Sequence, residues 1–215
     1  MILEEIMKKD VITLTETDTI GTALQIVKDK KIRHIPIIDE QGGIEGLITD
    51  RDIKDAAPSI FHRDGQEEYL NQPVGSIMKK EVITGHPLDF VEEVSGLFYE
   101  HHISCLPIVS GNKLAGIITE TDLLHTLAEL TGANRPGSQI ELRVPDRTGT
   151  LSDIAKLISS KNSNIISILV YPDGAHEGFK RLVIRVQTMN PSAVTGELSA
   201  AGYEVVWPKA PGLLP

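Results

Sequence analysis

The residues most able to do chemistry in this chain form a short pattern that occurs twice. Gly-x-x-Thr-x-x-Asp stands at residues 46–52 and again at residues 116–122, each time where a predicted strand meets a predicted helix. The free amides of a helix N-terminus favour an anion, and a threonine hydroxyl there can donate to a phosphate. An aspartate three residues later can accept from two neighbouring sugar hydroxyls. The pattern indicates a nucleotide site, although helix capping by Thr49 or Asp50 would also explain it.

The two patterns belong to an internal repeat. Residues 6–13 return as residues 77–84, and residues 32–38 return as residues 103–109, in both cases 71 positions later. A duplicated unit that is too short to bury its own core packs against its copy. We therefore expect a pseudo-twofold pair with a cleft between its halves.

Each copy predicts a β-α-β-β-α unit. After a short first strand, apolar residues recur at helical spacing from Ile20 in the first copy and from Phe90 in the second. Side-chain oxygens at residues 17–19 and 87–89 predict N-caps for these helices. A hairpin and a final helix follow. The predicted strands are residues 11–13, 35–38 and 44–49 in the first copy, and residues 82–84, 106–109 and 114–119 in the second.

The last third of the chain follows another pattern, after a break that contains two glycines and a proline. Strand, helix, two strands, helix and strand are predicted there in that order. This βαββαβ order predicts a ferredoxin-like sheet with helices on one face, and an α+β fold class for the chain. The predicted domains are residues 1–57, 73–130 and 139–208, with a connecting segment at 58–72, a linker at 131–138 and a tail at 209–215.

The repeated units resemble CBS domains, which pair into a Bateman module. The resemblance rests on the two Gly-x-x-Thr-x-x-Asp patterns, the two Val-Ile-Thr segments and the two apolar-proline strands. It implies an adenine nucleotide such as AMP, ADP or ATP as a regulatory ligand, with aspartate on the ribose and threonine near the phosphate. Thr49 and Asp52 would serve one site, and Thr119 and Asp122 the other. The implied adenine walls are Val11, Ile12, Thr13, Ile35 and Pro36, with Val82, Ile83, Thr84, Leu106 and Pro107.

The two copies differ in charge around these patterns. Arg33, His34 and Arg51 belong to the first copy, whereas the second copy has Glu120 beside its threonine. Arginine binds a phosphate bidentately and a glutamate repels one. We therefore expect stronger phosphate binding at the site that collects the arginines, and the sequence leaves open which aspartate belongs to it. The alternative is two degenerate clefts that only hold the pair together.

The C-terminal segment has a second resemblance. Residues 144–154, with an asparagine after the helix, are similar to the opening of ACT domains. Gly149 permits a tight turn whose amides, together with Asp146, could hold the carboxylate and ammonium of an amino acid. The resemblance implies edge-to-edge pairing, which for a single copy requires a homodimer. The predicted ligand residues are Asp146, Gly149, Leu151 and Asn164, and a turn that dimerises without a ligand is the alternative.

Charge and composition disfavour several function classes. A formal net charge of −9 disfavours nucleic acid as a partner. The apolar runs are too short for a membrane span, and the first residues lack a signal peptide, so a cytoplasmic location is expected. The single cysteine, Cys105, excludes an internal disulfide and is expected to be buried.

We predict a non-enzymatic ligand sensor that requires no cofactor and no metal, because the chain contains none of the familiar catalytic motifs. His101, His102 and Cys105 lack the second cluster that a metal site needs. The domain order resembles bacterial acetoin utilization proteins, which implies a partner enzyme of acetoin or acetate metabolism. An interaction protein without a small ligand and a cryptic nucleotide hydrolase remain the alternatives.

Overall fold

The computed structural model describes residues 1–57 and 66–209. The chain divides into two compact units, Met1–Leu124 and His125–Pro215, and the division falls inside a helix. Most of the predicted connecting segment, residues 58–65, and the end of the predicted tail, residues 210–215, lie outside the described residues. Within the described part of the chain, we find no helix with the length and apolar character that crossing a membrane requires.

The first unit is built from two copies of a helix, a hairpin and a second helix. Both hairpins are antiparallel, as predicted, and each contains one register shift. A short helix α3 (Gln66–Asn71) precedes the second copy. The first copy contains α1 (Ile20–Lys30), β1 (His34–Ile38), β2 (Ile44–Thr49) and α2 (Asp50–Asp55), and the second contains α4 (Val91–His101), β3 (Cys105–Ser110), β4 (Lys113–Thr119) and α5 (Glu120–Leu130).

The predicted first strand of each copy is reduced to a single bridge. Residues 11–13 and 82–84 form no named strand; instead Leu14 bridges Ile37 and Gly85 bridges Ile108, both in parallel. The first segment ends at this bridge because the chain turns at once, with the Asp18 carboxylate accepting from the Thr15 amide at 2.7 Å. The α+β fold class itself is confirmed.

The segment that leads into each copy packs on the other copy. Leu3 lies in the core of the second copy, and Lys8 bridges Ile117 of strand β4. In the same way, Val74 lies in the core of the first copy and Lys79 bridges strand β2. The two copies therefore share their cores through exchanged segments.

This exchange explains the glycine of each repeated pattern. A Cβ at Gly46 would lie 2.5 Å from the Met78 sulfur, and a Cβ at Gly116 would lie 2.7 Å from the Met7 sulfur. Both methionines belong to the exchanged segments, and both glycines also face a backbone carbonyl of those segments at 3.0 Å. Close packing between the copies, rather than a ligand, requires glycine here.

The two predicted helix caps differ in the structure. Thr19 caps α1 by accepting from the Thr22 amide, as predicted. The N-cap of α4 is Phe90, whose side chain makes no capping bond, so the predicted side-chain cap is wrong there. The Asp89 carboxylate instead accepts from the His86 amide at 2.7 Å and closes the preceding turn.

The second unit is an antiparallel sheet covered by two helices. The strand order is β6-β7-β5-β8, and the inward residues of the sheet share one buried core with both helices. This confirms the predicted βαββαβ order. Its elements are β5 (Ser138–Pro145), α6 (Thr150–Ser160), β6 (Ile165–Pro172), β7 (Phe179–Val186), α7 (Ser192–Ala200) and β8 (Glu204–Trp207).

The predicted linker is held against this sheet. The Thr131 carbonyl accepts from the Ser167 hydroxyl at 2.7 Å, and the Arg135 carbonyl accepts from Nη2 of Arg185 at 2.8 Å. Gly132 has a φ of 65° and leaves no room for a Cβ beside Ile166. These bonds fix the chain directly before strand β5.

Candidate functional site

A cleft of about 470 Å³ lies between the two copies of the first unit. One wall is formed by the end of β2 and the start of α2, and the other by residues 81–83 and the residues between α4 and β3. The cleft therefore joins the pattern of the first copy to the leading segment of the second. Six predicted site residues line it: Arg33, His34, Thr49, Arg51, Val82 and Ile83.

The threonine and aspartate of each pattern form a capping box. The Thr49 hydroxyl donates to Oδ2 of Asp52 at 2.6 Å, and the Thr49 amide donates to the same oxygen at 2.8 Å. The Asp52 amide donates back to the threonine hydroxyl at 3.1 Å. Thr119 and Asp122 repeat this arrangement with distances of 2.6, 2.9 and 3.4 Å. Helix capping is therefore part of the role of both pairs, and it engages one carboxylate oxygen of each aspartate.

The second carboxylate oxygen of each aspartate faces a lysine from the exchanged segment. Nζ of Lys8 lies 2.7 Å from Oδ1 of Asp122, whereas Nζ of Lys79 lies 3.8 Å from Oδ1 of Asp52. Burial acts to raise the pKa of Asp122, but hydrogen bonds from Lys8 and Thr119 outweigh it, and the pKa lies below its usual value. Each aspartate thus has one oxygen in the helix cap and one near a lysine, but the lysine lies closer to Asp122 than to Asp52.

The cleft contains acids beside the predicted arginines. Glu120 belongs to the second copy and lines the same cleft as Arg33 and Arg51, together with Asp50 and Glu81. The sequence had suggested that arginines and glutamate would distinguish two sites. In the structure they meet in one, because the second copy contributes the first residue of α5 to this wall.

A contact between the copies lies in the cleft. Nε2 of His34 is 2.7 Å from the Ser104 hydroxyl. Burial, followed by the Arg33 charge, lowers the pKa of His34, and the nearby carboxylates of Asp50, Glu120 and Asp52 only partly oppose this. The imidazole is therefore expected to be neutral at pH 7. Ser104 was not predicted as a site residue, although it aligns with the predicted site residue Arg33 in the repeat.

The other predicted adenine-wall residues lie outside this cleft. Ile35 and Leu106 are fully buried in the two cores, and the carbonyls of Pro36 and Pro107 are engaged by the bridging segments. Val11 and Thr13 line a different cavity of about 460 Å³ beside the β1–β2 turn. Of the remaining predicted site residues, Ile12, Asp52, Thr84, Thr119 and Asp122 are also absent from the lining of the first cleft, although Asp52 directly follows the lining residue Arg51.

The cleft also contains two further histidines and the cysteine. His101, His102 and Cys105 line it. Burial raises the pKa of the Cys105 thiol to about 12, so this cysteine is not a nucleophile or a ready ligand. Within residues 1–57 and 66–209, no group of three or more His, Cys, Asp or Glu side chains could hold a metal ion.

In the second unit, the structure places one of the four predicted ligand residues apart from the other three. Gly149 has a φ of 92° and is the N-cap of α6, so the predicted tight turn is present. The Asp146 carboxylate is paired with Nζ of Lys180 at 2.8 Å, and Leu151 is exposed. Asn164, however, precedes the start of β6, whose register places it at the opposite end of the sheet, about 23 Å away at 3.3 Å per residue.

A buried aspartate in this unit escaped the sequence analysis. Asp173 accepts from Nε of Arg143 at 2.7 Å and from Nε of Arg181 at 2.8 Å. These hydrogen bonds, that from Arg143 first, hold the pKa of Asp173 well below its usual range. The network ties the turn after β6 to strands β5 and β7, so its role is structural.

Family comparisons match both units of the chain. The model for the CBS domain matches residues 3–59 and 74–129, and the model for the ACT domain matches residues 138–203. The chain belongs to the CBS-domain family. Its two CBS domains are followed by a C-terminal ACT domain.

Two similar proteins are also CBS domain-containing proteins. The CBS domain-containing protein YhcV of Bacillus subtilis is 36% identical over 121 residues, which are 56% of this chain and 81% of YhcV. A CBS domain-containing protein of Dictyostelium discoideum is 29% identical over 135 residues, 60% of this chain and 93% of that protein.

Two solved CBS structures are also similar. A Vibrio cholerae protein assigned as the acetoin utilization protein AcuB is 28% identical with a TM-score of 0.54, over 62% of this chain and 96% of that one. The CBS pair of MJ0100, in complex with 5′-methylthioadenosine and S-adenosyl-L-methionine, is 27% identical with a TM-score of 0.52. The match covers 63% of this chain and 98% of that one.

Proposed function

We propose that the protein is a non-enzymatic ligand sensor whose CBS pair binds an adenosine-containing small molecule in the cleft beside Thr49 and Arg51. The observation that carries this proposal is the convergence of Arg33 and Arg51 of one copy with Val82 and Ile83 of the other around about 470 Å³. The complex of the similar MJ0100 CBS pair with two adenosyl compounds supports it.

Each residue has a distinct role in this proposal. Val82 and Ile83 contact the adenine through apolar surface, and the arginines attract a phosphate or carboxylate of the ligand. Oδ1 of Asp52 accepts from the ribose hydroxyls, because Oδ2 is engaged in the cap. Lys79, 3.8 Å from that oxygen, moves aside or shares it.

A thermal-shift panel of AMP, ADP, ATP, 5′-methylthioadenosine and S-adenosylmethionine tests the proposal. A ligand at about 100 times its dissociation constant should add roughly 2.7 kcal/mol to the free energy of unfolding. Val82→Asp should abolish the shift by putting a charge against the adenine. Its repeat equivalent, Val11→Asp, is the matched control and should keep the shift, because Val11 lines the other cavity.

The absence of a shift with every adenosyl compound would reject the sensor function. An interaction module without a small ligand would then be the better interpretation. Formation of product from a bound nucleotide would instead favour the hydrolase alternative. The contact between His34 and Ser104 is the observation that supports this alternative. If the protein is a sensor, Ser104→Ala should leave its ligand affinity almost unchanged. If it is a hydrolase, the same substitution should abolish hydrolysis.

We further propose that the ACT domain forms a homodimer through strand β6. This strand lies at an edge of the sheet, and Leu169, Val170 and Tyr171 on it are exposed. An amino acid would bind at the Gly149 turn, and since Asn164 lies at the far end of the sheet, it would come from the partner subunit. Val170→Lys should convert a dimer to a monomer in light-scattering measurements, and a monomeric wild type would reject the dimer.

The similarity to the Vibrio cholerae protein supports a role in acetoin or acetate utilization. In this proposal the sensor regulates a partner enzyme of that metabolism. A ligand would act by binding one arrangement of the protein more tightly than another, since equal binding to both shifts nothing. Co-purification of a tagged chain from acetoin-grown cells, with and without the adenosyl ligand, would identify such an enzyme.

A further inference from the structure

The charge of the cleft is balanced, which bears on the ligand it can hold. Three basic side chains line it, Arg33, Arg51 and Lys79, and three acidic side chains line it as well. Leaving the histidines aside, these six charges cancel and give the described lining no net formal charge. A ligand with several negative charges would therefore meet as many acids as bases.

The three acids are not equally available to a ligand. Asp50 is paired with Nζ of Lys54 at 2.9 Å, so its charge is partly compensated. Glu81 and Glu120 are both exposed, so solvent partly screens both charges. Glu120 forms no ion pair with any of the described residues, and its amide donates to the Ser104 carbonyl at 3.2 Å, beside the contact between the copies.

Glu120 also lies close to the arginine side of the cleft. The charges that act on His34 include Arg33 together with Asp50 and Glu120, and all four residues line the same cleft. Arg33 and Arg51 form no ion pair with the described residues, which leaves their charges for a ligand. A phosphate chain that extended from the arginines across the cleft would approach Glu120.

We propose that Glu120 is a charge selector, which makes the cleft prefer adenosyl ligands of low negative charge, such as a nucleoside monophosphate or an S-adenosyl compound, over nucleoside triphosphates. This inference rests on the proposed adenosyl site and names its ligand class. One monophosphate is compensated by the arginines, whereas each further phosphate adds charge next to the unpaired carboxylate. Each such charge is expected to cost about three- to tenfold in affinity, because solvent partly screens the exposed carboxylate.

Calorimetric titration of the full chain with AMP, ADP, ATP and S-adenosylmethionine tests the inference. The titrations are made at low salt and without divalent cations, so that every phosphate keeps its charge. In the wild type, AMP or S-adenosylmethionine should bind at least about tenfold more tightly than ATP. Glu120→Gln should raise the affinity for ATP about tenfold and change that for AMP much less, and Glu120→Lys should reverse the preference.

Glu129→Gln is the matched control, because it removes the same charge from the same helix, outside the cleft. It should leave the ratio of AMP to ATP affinity unchanged. Equal affinities for AMP and ATP in the wild type would overturn the inference, and so would an unchanged ratio in both Glu120 variants. In either case adenosyl binding persists, so the proposed function would stand. Loss of all adenosyl binding in the wild type would instead reject both.

Discussion

The two copies of the CBS unit fold alike but meet their surroundings differently. Both cap a helix with threonine and aspartate and pack glycine against a methionine of the exchanged segment. Yet Asp122 has a lysine amine at 2.7 Å and Asp52 has one at 3.8 Å, and both predicted arginines line the cleft with Thr49, the capping partner of Asp52. The shared residues thus maintain the fold, and the residues that differ decide which cleft is suited to a ligand.

The strongest test of this difference is a pair of equivalent aspartate substitutions. Asp52→Asn keeps an oxygen for the helix cap but replaces the ribose acceptor with an amide donor. Because hydrogen bonds to a charged group contribute about 1.5–3 kcal/mol, we expect up to about a 100-fold loss of adenosyl affinity by calorimetry. Asp122→Asn should change the affinity less than about threefold. Equal losses in both variants would contradict the asymmetry.

The glycines should, by contrast, behave equally in the two copies. Gly46→Ala and Gly116→Ala both drive a Cβ into a methionine and a carbonyl, so each should destabilise the protein by about 1–3 kcal/mol in chemical denaturation. Gly96→Ala is the control, because nothing lies within 4 Å of its Cβ position inside helix α4. It should stabilise slightly or have no effect. Neutral behaviour at Gly46 would argue against the exchanged packing.

Exchanging a single residue between the copies tests whether an arginine determines which cleft binds AMP. Arg51→Thr gives the first copy the residue found at position 121 and should lower AMP affinity about five- to tenfold, since a bidentate charged contact is lost. Thr121→Arg makes the reverse change at a position that does not line the cleft, so it should not raise AMP affinity. A gain of affinity in Thr121→Arg would indicate that the second cleft can also bind.

The smallest expected effect is on stability, and it comes from removing the lysine that faces each aspartate. Because the pKa of Asp122 is lowered in the folded state, its charge stabilises the fold at pH values above the ordinary aspartate pKa. This stabilisation is lost as the pH falls through the ordinary pKa toward the lower pKa of the folded state. Lys8→Ala should remove part of this contribution, by less than about 1 kcal/mol since the lysine is exposed. Urea denaturation should detect the difference near neutral pH and not in acid. Lys79→Ala should have a smaller effect because its contact is longer.

The sequence predicted local structure well because the local signals are strong. Short runs rich in β-branched residues predicted both hairpins, and apolar residues at helical spacing predicted α1 and α4 with starts within one residue of the observed ones. The failures concern short segments: a first strand limited to one bridge at Leu14 or Gly85 carries too few hydrogen bonds to be read from three residues.

The composition of the cleft could not be predicted, for a different reason. The segments around Met7 and Met78 are nearly identical, so nothing in them tells which copy each one packs on. Their exchange brings Val82 and Lys79 to the first pattern, in a cleft that Glu120 from the start of α5 also lines. Long-range pairing of similar segments depends on the connection between them, not on local pattern.

A crystal structure of the full chain with AMP or S-adenosylmethionine tests the central claim most directly. We predict ligand density in the cleft lined by Arg33, Arg51 and Val82, with the ribose hydroxyls on Oδ1 of Asp52 and the amine of Lys79 displaced from it. Density beside Asp122 instead, with Lys8 displaced and the Arg51 cleft unoccupied by ligand, would contradict the account.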